Sequence, residues 1–332
     1  MHFLSESLPD GRHKCLLCPH FCSLKKGQAG VCRVRSGTDL GVELNSYGLL
    51  THIAVEPIEK KPIWHFNPGM KTLSISGYSC NLSCDYCQNF SISQRDRRED
   101  SKYLLPRNVV DLAITNQCGG ICFTYNEPTI YFEYIVDVSK MAKESGLSVI
   151  LKTNAYINQE PWLHLLGFID ALNIDWKGNE ERYKNVAKAS NIDVFGRILD
   201  AIELNKHVEI SVPVYHDSKL DEYEEFCKII DRKIPIHLLK IFPANKTMLQ
   251  PVTSDALLSK IKNRLLHHFD YVYIQNVFGD NSANTICKGC GKILIERKHL
   301  KPISYIGDTP CCDECPIKYE QVSSTKNKRV HC

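Results

Sequence analysis

The stretch that decides the reading runs from residue 72 to residue 90: TLSISGYSCNLSCDYCQNF. It opens as a short apolar strand and passes through Gly77 into three cysteines, Cys80, Cys84 and Cys87, spaced C-x3-C-x2-C with Tyr86 before the third. A loop at the C-terminal end of a strand is where α/β folds carry their chemistry. Three thiolates are one short of a closed four-ligand metal site. They suit three irons of a [4Fe–4S] cube, leaving the fourth iron open to a small molecule, or a zinc ion with one open position, which is rarer at this spacing.

Outward from this loop, residues 72 to 277 alternate between short apolar strands and amphipathic helices. Strands are expected at TLSIS, GICFTY, VILKTN, ALNIDW, VEISVPVY, IHLLKIF and YVYIQNV. Helices are expected between them, at PRNVVDLAITNQ, TIYFEYIVDVSKMAKESG, PWLHLLGF, GRILDAIELNK, LDEYEEFCKIIDRK and SDALLSKIKNRLLHHF. Such alternation predicts βαβ units and a parallel sheet, open or rolled into a partial barrel. Before it, PIEKKPIWHFNPGMK (57–71) reads as a connecting loop because of its three prolines and glycine. The expected organisation is a cysteine-rich module over 1–65, a barrel over 66–283, a second cysteine-rich module over 284–320 and a disordered tail over 321–332.

Composition narrows the class. The chain has 332 residues, 43% hydrophobic and 24% charged, as in ordinary globular proteins. A net charge of +3 is too small to argue for nucleic acid or an acidic membrane. No run approaches the ~18 apolar residues of a membrane span, and MHFLSESLPDGRHK has no apolar signal core. These features predict a cytoplasmic protein. Sixteen cysteines are many for such a chain, and in a reducing compartment clustered cysteines read as metal ligands.

C-x3-C-x2-C with Tyr86 resembles the signature of the radical S-adenosylmethionine (SAM) superfamily. Five segments, CLLCPHFCSLKKGQAGVCRVR (15–35), EPIEKKPIWHFNPG (56–69), YCQNFSISQ (86–94), YNEPTIYFEY (125–134) and NIDWKG (173–178), resemble its AmmeMemoRadiSam-type members, relatives of the pyruvate formate-lyase activating enzyme branch. The resemblance implies a partial (β/α)6 barrel. It also implies a [4Fe–4S] cluster on Cys80, Cys84 and Cys87 whose unique iron binds SAM, and an electron that cleaves SAM to a hydrogen-abstracting 5′-deoxyadenosyl radical. Tyr86, Asn126, Glu127, Thr153, Asn154, Asp175 and Lys177 become the expected SAM contacts. Asn126-Glu127 departs from the family's Gly-Gly-Glu, and Glu127 also suits a helix N-terminus before Pro128. In HLLKIFPANKTML (237–249) Lys240 and Phe242 stand where the family usually has Arg and His, which leaves the substrate open. Lys240 and Cys227 are candidate catalytic groups, although Cys227 in YEEFCKII sits at an apolar helical position that suits packing.

Two further cysteine groups flank the barrel. Cys15, Cys18, Cys22 and Cys32 run C-x2-C-x3-C-x9-C, enough to close a zinc site or an auxiliary cluster. Cys287-x2-Cys290 and Cys312-x2-Cys315 read as paired knuckles of a zinc ribbon, with an auxiliary cluster as the other reading. The expected partners are a protein, peptide or small-molecule substrate and a one-electron reductant such as flavodoxin or ferredoxin, without a membrane or nucleic acid. The competing class is a non-catalytic iron–sulfur or zinc protein, either a scaffold or a nucleic-acid binder.

Overall fold

The runs expected as strands are apolar on both faces, the pattern of a sheet covered on each side. In the computed structural model, which describes residues 2–94, 101–190, 193–277, 283–298, 301–305 and 312, they form one eight-stranded sheet. In chain order its strands are β1 (His52–Pro57), β2 (Lys71–Ser76), β3 (Gly120–Phe123), β4 (Ser148–Thr153), β5 (Ala171–Asp175), β6 (His207–Val214), β7 (Ile236–Lys240) and β8 (Val272–Gln275). They keep that order across the sheet, parallel from β2 to β8, with β1 antiparallel to β2. The end strands β1 and β8 do not pair with each other, so the α/β sheet is the expected partial barrel. The edge strand β1 comes from chain before residue 66.

The connections are α1 (Pro106–Thr115), α2 (Phe132–Glu144), α3 (Gln159–Leu166), α4 (Val194–Glu203), α5 (Glu224–Ile229) and α6 (Asp255–Leu265). Phe132, Ile135, Val136, Ser139 and Ala142 bury one face of α2 at helical spacing. Asp193 caps α4 through the Gly196 amide at 3.0 Å, and Ser254 caps α6 through Leu257 at 3.2 Å. Two expected helices start late: 3₁₀ turns at Pro128–Tyr131 and Leu220–Tyr223 precede α2 and α5. No helix among the described residues is long and apolar enough to cross a membrane.

The segment between β1 and β2 is more than a connection. Ile58, Ile63 and Trp64 are buried in it. It crosses the N-terminal end of the barrel and is gripped by Glu209, a fully buried carboxylate on β6. Glu209 Oε1 accepts the amides of Trp64 (2.8 Å) and His65 (2.7 Å) and lies 2.9 Å from His207 Nε2, while Oε2 lies 2.6 Å from His237 Nε2. Pro62 O accepts from Asn173 of β5 at 2.6 Å. Proline and glycine content reports irregular backbone but is silent on burial, which is why this strap reads as a loop from sequence.

Both flanking regions dock on this body. In the N-terminal region, short strands Ser5–Ser7, His13–Cys15 and Ser23–Leu24 form a small antiparallel sheet, and its buried residues join the main core. Arg35 forms a two-pronged ion pair with Glu133 of α2 at 2.6 and 2.7 Å. At the other end β9 (Thr285–Ile286), β10 (Ile293–Lys298) and β11 (Lys301–Ser304) form an antiparallel sheet. From β10, Arg297 donates to Trp64 O at 2.5 Å and lies 4.7 Å from the Trp64 ring. The expected tail over 321–332 lies outside the described residues.

Glu209→Ala leaves two imidazoles and two backbone amides inside the barrel without their acceptor. The expected loss is about 3–5 kcal/mol of stability, measured by urea unfolding.

Candidate active site

The C-terminal ends of the parallel strands open onto a cavity of ≈ 400 Å³. Three loops leave their strands through left-handed residues: Ser79 after β2 (φ 69°), Tyr125 after β3 (φ 72°) and Ala155 after β4 (φ 52°). None is glycine, and such backbone persists only where the surroundings over-determine it. Tyr125 shows how: its hydroxyl donates to Glu56 and accepts from Lys61, whose ammonium also lies 4.3 Å from the ring.

All three cysteines of the first loop line this cavity, with Tyr86. The Leu82 amide lies 3.3 Å and Asn154 Nδ2 3.9 Å from Cys80 Sγ, and Ser93 Oγ lies 3.0 Å from Cys87 Sγ. Burial pushes the Cys80 thiol up, and pushes Cys84 up to about 11 while the Lys177 ammonium pulls it down. Binding a cation strips such protons. The Tyr86 ring packs edge-on against Tyr215 at 5.1 Å and walls that side of the site.

The loop after β3 supplies acceptors. Asn126 Nδ2 donates to the carbonyls of Ser79 (2.9 Å) and Tyr78 (3.3 Å), which fixes the amide's orientation. Its Oδ1 is buried and has no hydrogen-bond partner, so an acceptor is left waiting for a donor. Glu127 is buried; it accepts from Thr153 Oγ1 (2.7 Å) and the Thr129 amide (3.0 Å) on one oxygen and from the Asn154 amide (2.7 Å) on the other. Burial raises its pKa, and these donors only partly offset that. The expected cap and the expected site residue are thus one group: Glu127 caps the 3₁₀ turn through Thr129 while tying the ends of β3 and β4 together.

Asp175 sits between two ammonium groups, Lys177 at 2.8 Å and Lys152 in direct contact. Burial acts against its charge, but the two lysines outweigh it and hold Asp175 at about 2. Lys152 also reaches Asn173 Oδ1 at 2.5 Å.

Of the expected groups, Cys80, Cys84, Cys87, Tyr86, Asn126, Glu127, Thr153, Asn154, Asp175 and Lys177 all line this one cavity. Lys240 and Cys227 do not. Strand residues alternate faces, and Leu239 and Ile241 take the cavity side, so Lys240 turns away and pairs with Asp255 at 2.6 Å. Cys227 lies on α5, half-buried against the core. The sequence reading missed Lys60, Lys61, Pro62, Tyr125 and Lys152 as cavity residues. A lysine within the apolar run VILKTN signals a buried partner; nothing local announces that the strap forms the cavity floor.

The remaining cysteines fall into two further groups. Cys287, Cys290 and Cys312 bring their sulfurs within 4.8 Å of one another, the only such set of His, Cys, Asp or Glu among the described residues. Cys315, the expected fourth ligand, lies outside the described residues. Cys15, Cys18, Cys22 and Cys32 line a separate small pocket. Cys118 and Cys122 are buried in the core.

Fold and loop together define an α/β partial-barrel protein with an open three-thiol site. The radical SAM superfamily model matches residues 74–230. An uncharacterized protein of Methanocaldococcus jannaschii is 35% identical over 328 residues, covering 96% of this chain and 98% of that one. The 4-hydroxyphenylacetate decarboxylase activating enzyme of Clostridium scatologenes is 25% identical over 224 residues, 60% of this chain and 72% of that enzyme. A crystal structure of Streptococcus suis SuiB bound to S-adenosylmethionine aligns with a TM-score of 0.49 and 14% identity, over 67% of this chain and 53% of that one. The chain belongs to the radical SAM superfamily and is an enzyme of it.

Asp175→Asn leaves buried Lys177 and half-buried Lys152 without a counter-charge, at an expected cost of about 3 kcal/mol. Asp255→Ala breaks an ion pair whose carboxylate is 68% exposed and costs under ~1 kcal/mol. Urea unfolding of both variants at pH 7 checks the contrast.

Proposed function

We propose that Cys80, Cys84 and Cys87 hold a [4Fe–4S] cluster, that SAM binds beside it, and that the enzyme abstracts a hydrogen atom from a protein, peptide or specialised metabolite. The observation that carries this reading is convergence: three thiols, the partnerless Asn126 Oδ1 and the Asp175–Lys177 pair line the same cavity. When bound, the cluster supplies the electron that splits SAM into methionine and a hydrogen-abstracting 5′-deoxyadenosyl radical.

The chain's own residues bind, orient and shield. Asn126 Oδ1 and the remaining lone pair of Glu127 accept from the SAM ammonium, a charge-assisted contact. Lys177, anchored by Asp175, offers positive charge to the SAM carboxylate and to Cys84. Thr153 and Asn154 keep Glu127 in place, and Asn154 leans on Cys80. Tyr86 and Tyr215 exclude water from one flank. The relative named as the activating enzyme of 4-hydroxyphenylacetate decarboxylase supports a polypeptide substrate, as does the resemblance to the AmmeMemoRadiSam-type and pyruvate formate-lyase activating branch. The electron comes from flavodoxin or ferredoxin in a reducing cytoplasm, the setting that clustered thiols favour.

Cys287, Cys290 and Cys312, with Cys315, hold a structural zinc. A tetrahedral zinc sets its sulfurs about 3.8 Å apart; Cys287 and Cys312 lie at 3.5 Å. Among the described residues the module's own buried cluster holds Cys287, Leu294 and Ile295, a small core of the kind that a metal supports.

Three experiments test this reading. After anaerobic loading with iron and sulfide, the reduced protein releases 5′-deoxyadenosine from SAM. Cys84→Ala abolishes the release, and equal release from parent and variant sinks the proposal. Asn126→Ala weakens SAM binding about tenfold, the worth of one charge-assisted hydrogen bond, read by calorimetry on the loaded protein. Elemental analysis finds about one zinc per chain, lost with Cys290→Ser together with several degrees of melting temperature.

A further inference from the structure

Cys15, Cys18, Cys22 and Cys32 form a second sulfur chamber that the cavity chemistry does not use. All four line one small pocket, walled by Leu17 and Ile130. Cys15, Cys18 and Cys32 are buried. The Cys15 amide donates to Cys22 O at 2.8 Å, which locks the first turn onto the second. Gly30 lets the chain return to them: a Cβ there would stand 3.3 Å from Cys22 Sγ.

Burial pushes the Cys15, Cys18 and Cys32 thiols up, and the donors around them only partly offset it. Every cysteine faces a backbone amide: Val31 N–H points at Cys22 Sγ from 3.4 Å, and the amides of Leu17, His20 and Val34 point at Cys15, Cys18 and Cys32. Each of these last three amides lies two residues after its cysteine. Arg35 adds a full positive charge. It is 1% exposed, its Nε has no hydrogen-bond partner, and its charge acts on Cys15 and Cys32. Glu133 already neutralises that guanidinium once. A further set of thiolates beside it needs a multivalent cation to balance the charge.

Sulfur separation decides what the cation is. The quartet shares one pocket, yet no three of its sulfurs lie within 4.8 Å of one another, whereas those of Cys287, Cys290 and Cys312 do. One tetrahedral zinc draws its sulfurs to about 3.8 Å. A cube of four irons takes each thiolate on a different corner and spreads them wider. We propose that Cys15, Cys18, Cys22 and Cys32 bind a second [4Fe–4S] cluster, with a thiolate on every iron. With no iron left open, this cluster binds no SAM. It also lies next to the first site: His20 Nε2 is 2.7 Å from Asn81 O, beside Cys80, and the His20 ring meets Tyr156 edge-on at 5.1 Å.

The test uses the full chain carrying Cys80→Ala, Cys84→Ala and Cys87→Ala, loaded anaerobically with iron and sulfide. About four irons and four sulfides per chain remain, with an EPR signal on reduction that SAM does not change. Adding Cys18→Ser and Cys22→Ser removes them. Loss of all iron from the triple variant overturns the proposal, and so does a zinc ion in the quartet's place. If the triple variant does not fold, Mössbauer spectroscopy of the parent decides. About eight irons, with SAM perturbing only one cluster's share, support the second cluster; about four irons that all belong to a SAM-responsive cluster overturn it. Failure of the SAM reading looks different: parent and triple variant then each keep about four irons, and SAM alters neither.

Discussion

The carboxylate of Glu209 is the contact on which the other parts of the molecule depend. Burial alone would neutralise it, but His207 and His237 beside it hold it ionised. Its charge is shared with the amides of Trp64 and His65, so the strap cannot leave the barrel without orphaning an anion and two amides. Everything else hangs from that strap. Lys60, Lys61 and Pro62 form part of the cavity floor, and the far side of Trp64 receives Arg297 from the C-terminal module. One carboxylate thus joins the barrel interior, the floor of the site and the docking of a module on the opposite end.

At the strand ends the same low dielectric separates two acids. Glu127 and Asp175 line one cavity, yet burial drives Glu127 up while two lysines drive Asp175 down to about 2. The difference is in partners. Glu127 receives neutral donors from Thr129, Thr153 and Asn154, which soften desolvation without cancelling charge. Asp175 receives two cations. The cavity therefore presents a charge cluster on the β5 side and, on the β3 side, a buried carboxyl supported by neutral donors alone. That asymmetry fits a zwitterion, whose ammonium and carboxylate need opposite environments a few ångströms apart.

What the sequence shows depends on whether the relevant relation is local. The parallel strands were legible because both-face burial writes itself as a run of apolar residues, as in GICF and VILKT. The cysteine loop and the strand-end residues Glu127, Asn154 and Lys177 were legible because position after a strand fixes their end of the barrel. Lys240 misled for a related reason: it sits on the right strand, but one residue off the side that Leu239 and Ile241 present. A slip of one residue on a strand reverses the face. Lys61, Tyr125 and the strap were illegible because their roles arise from contacts across the sheet, with Glu56 on β1 and Glu209 on β6.

The three cysteine groups show the same limit in its sharpest form. Their spacings, C-x3-C-x2-C, C-x2-C-x3-C-x9-C and paired C-x2-C, set how far the chain can reach but not how far apart the sulfurs settle. The fold supplies that second quantity. In the C-terminal module the sulfurs of Cys287, Cys290 and Cys312 lie within 4.8 Å of one another, at single-ion distance. In the N-terminal region, turns pinned to α2 through Arg35 and Glu133 hold the sulfurs apart around a shared pocket. On the barrel, the loop bends through Ser79 and spreads its thiols along a cavity wall. Sulfur separation is therefore a property of how the fold anchors each loop, which the spacing of cysteines along the chain does not carry.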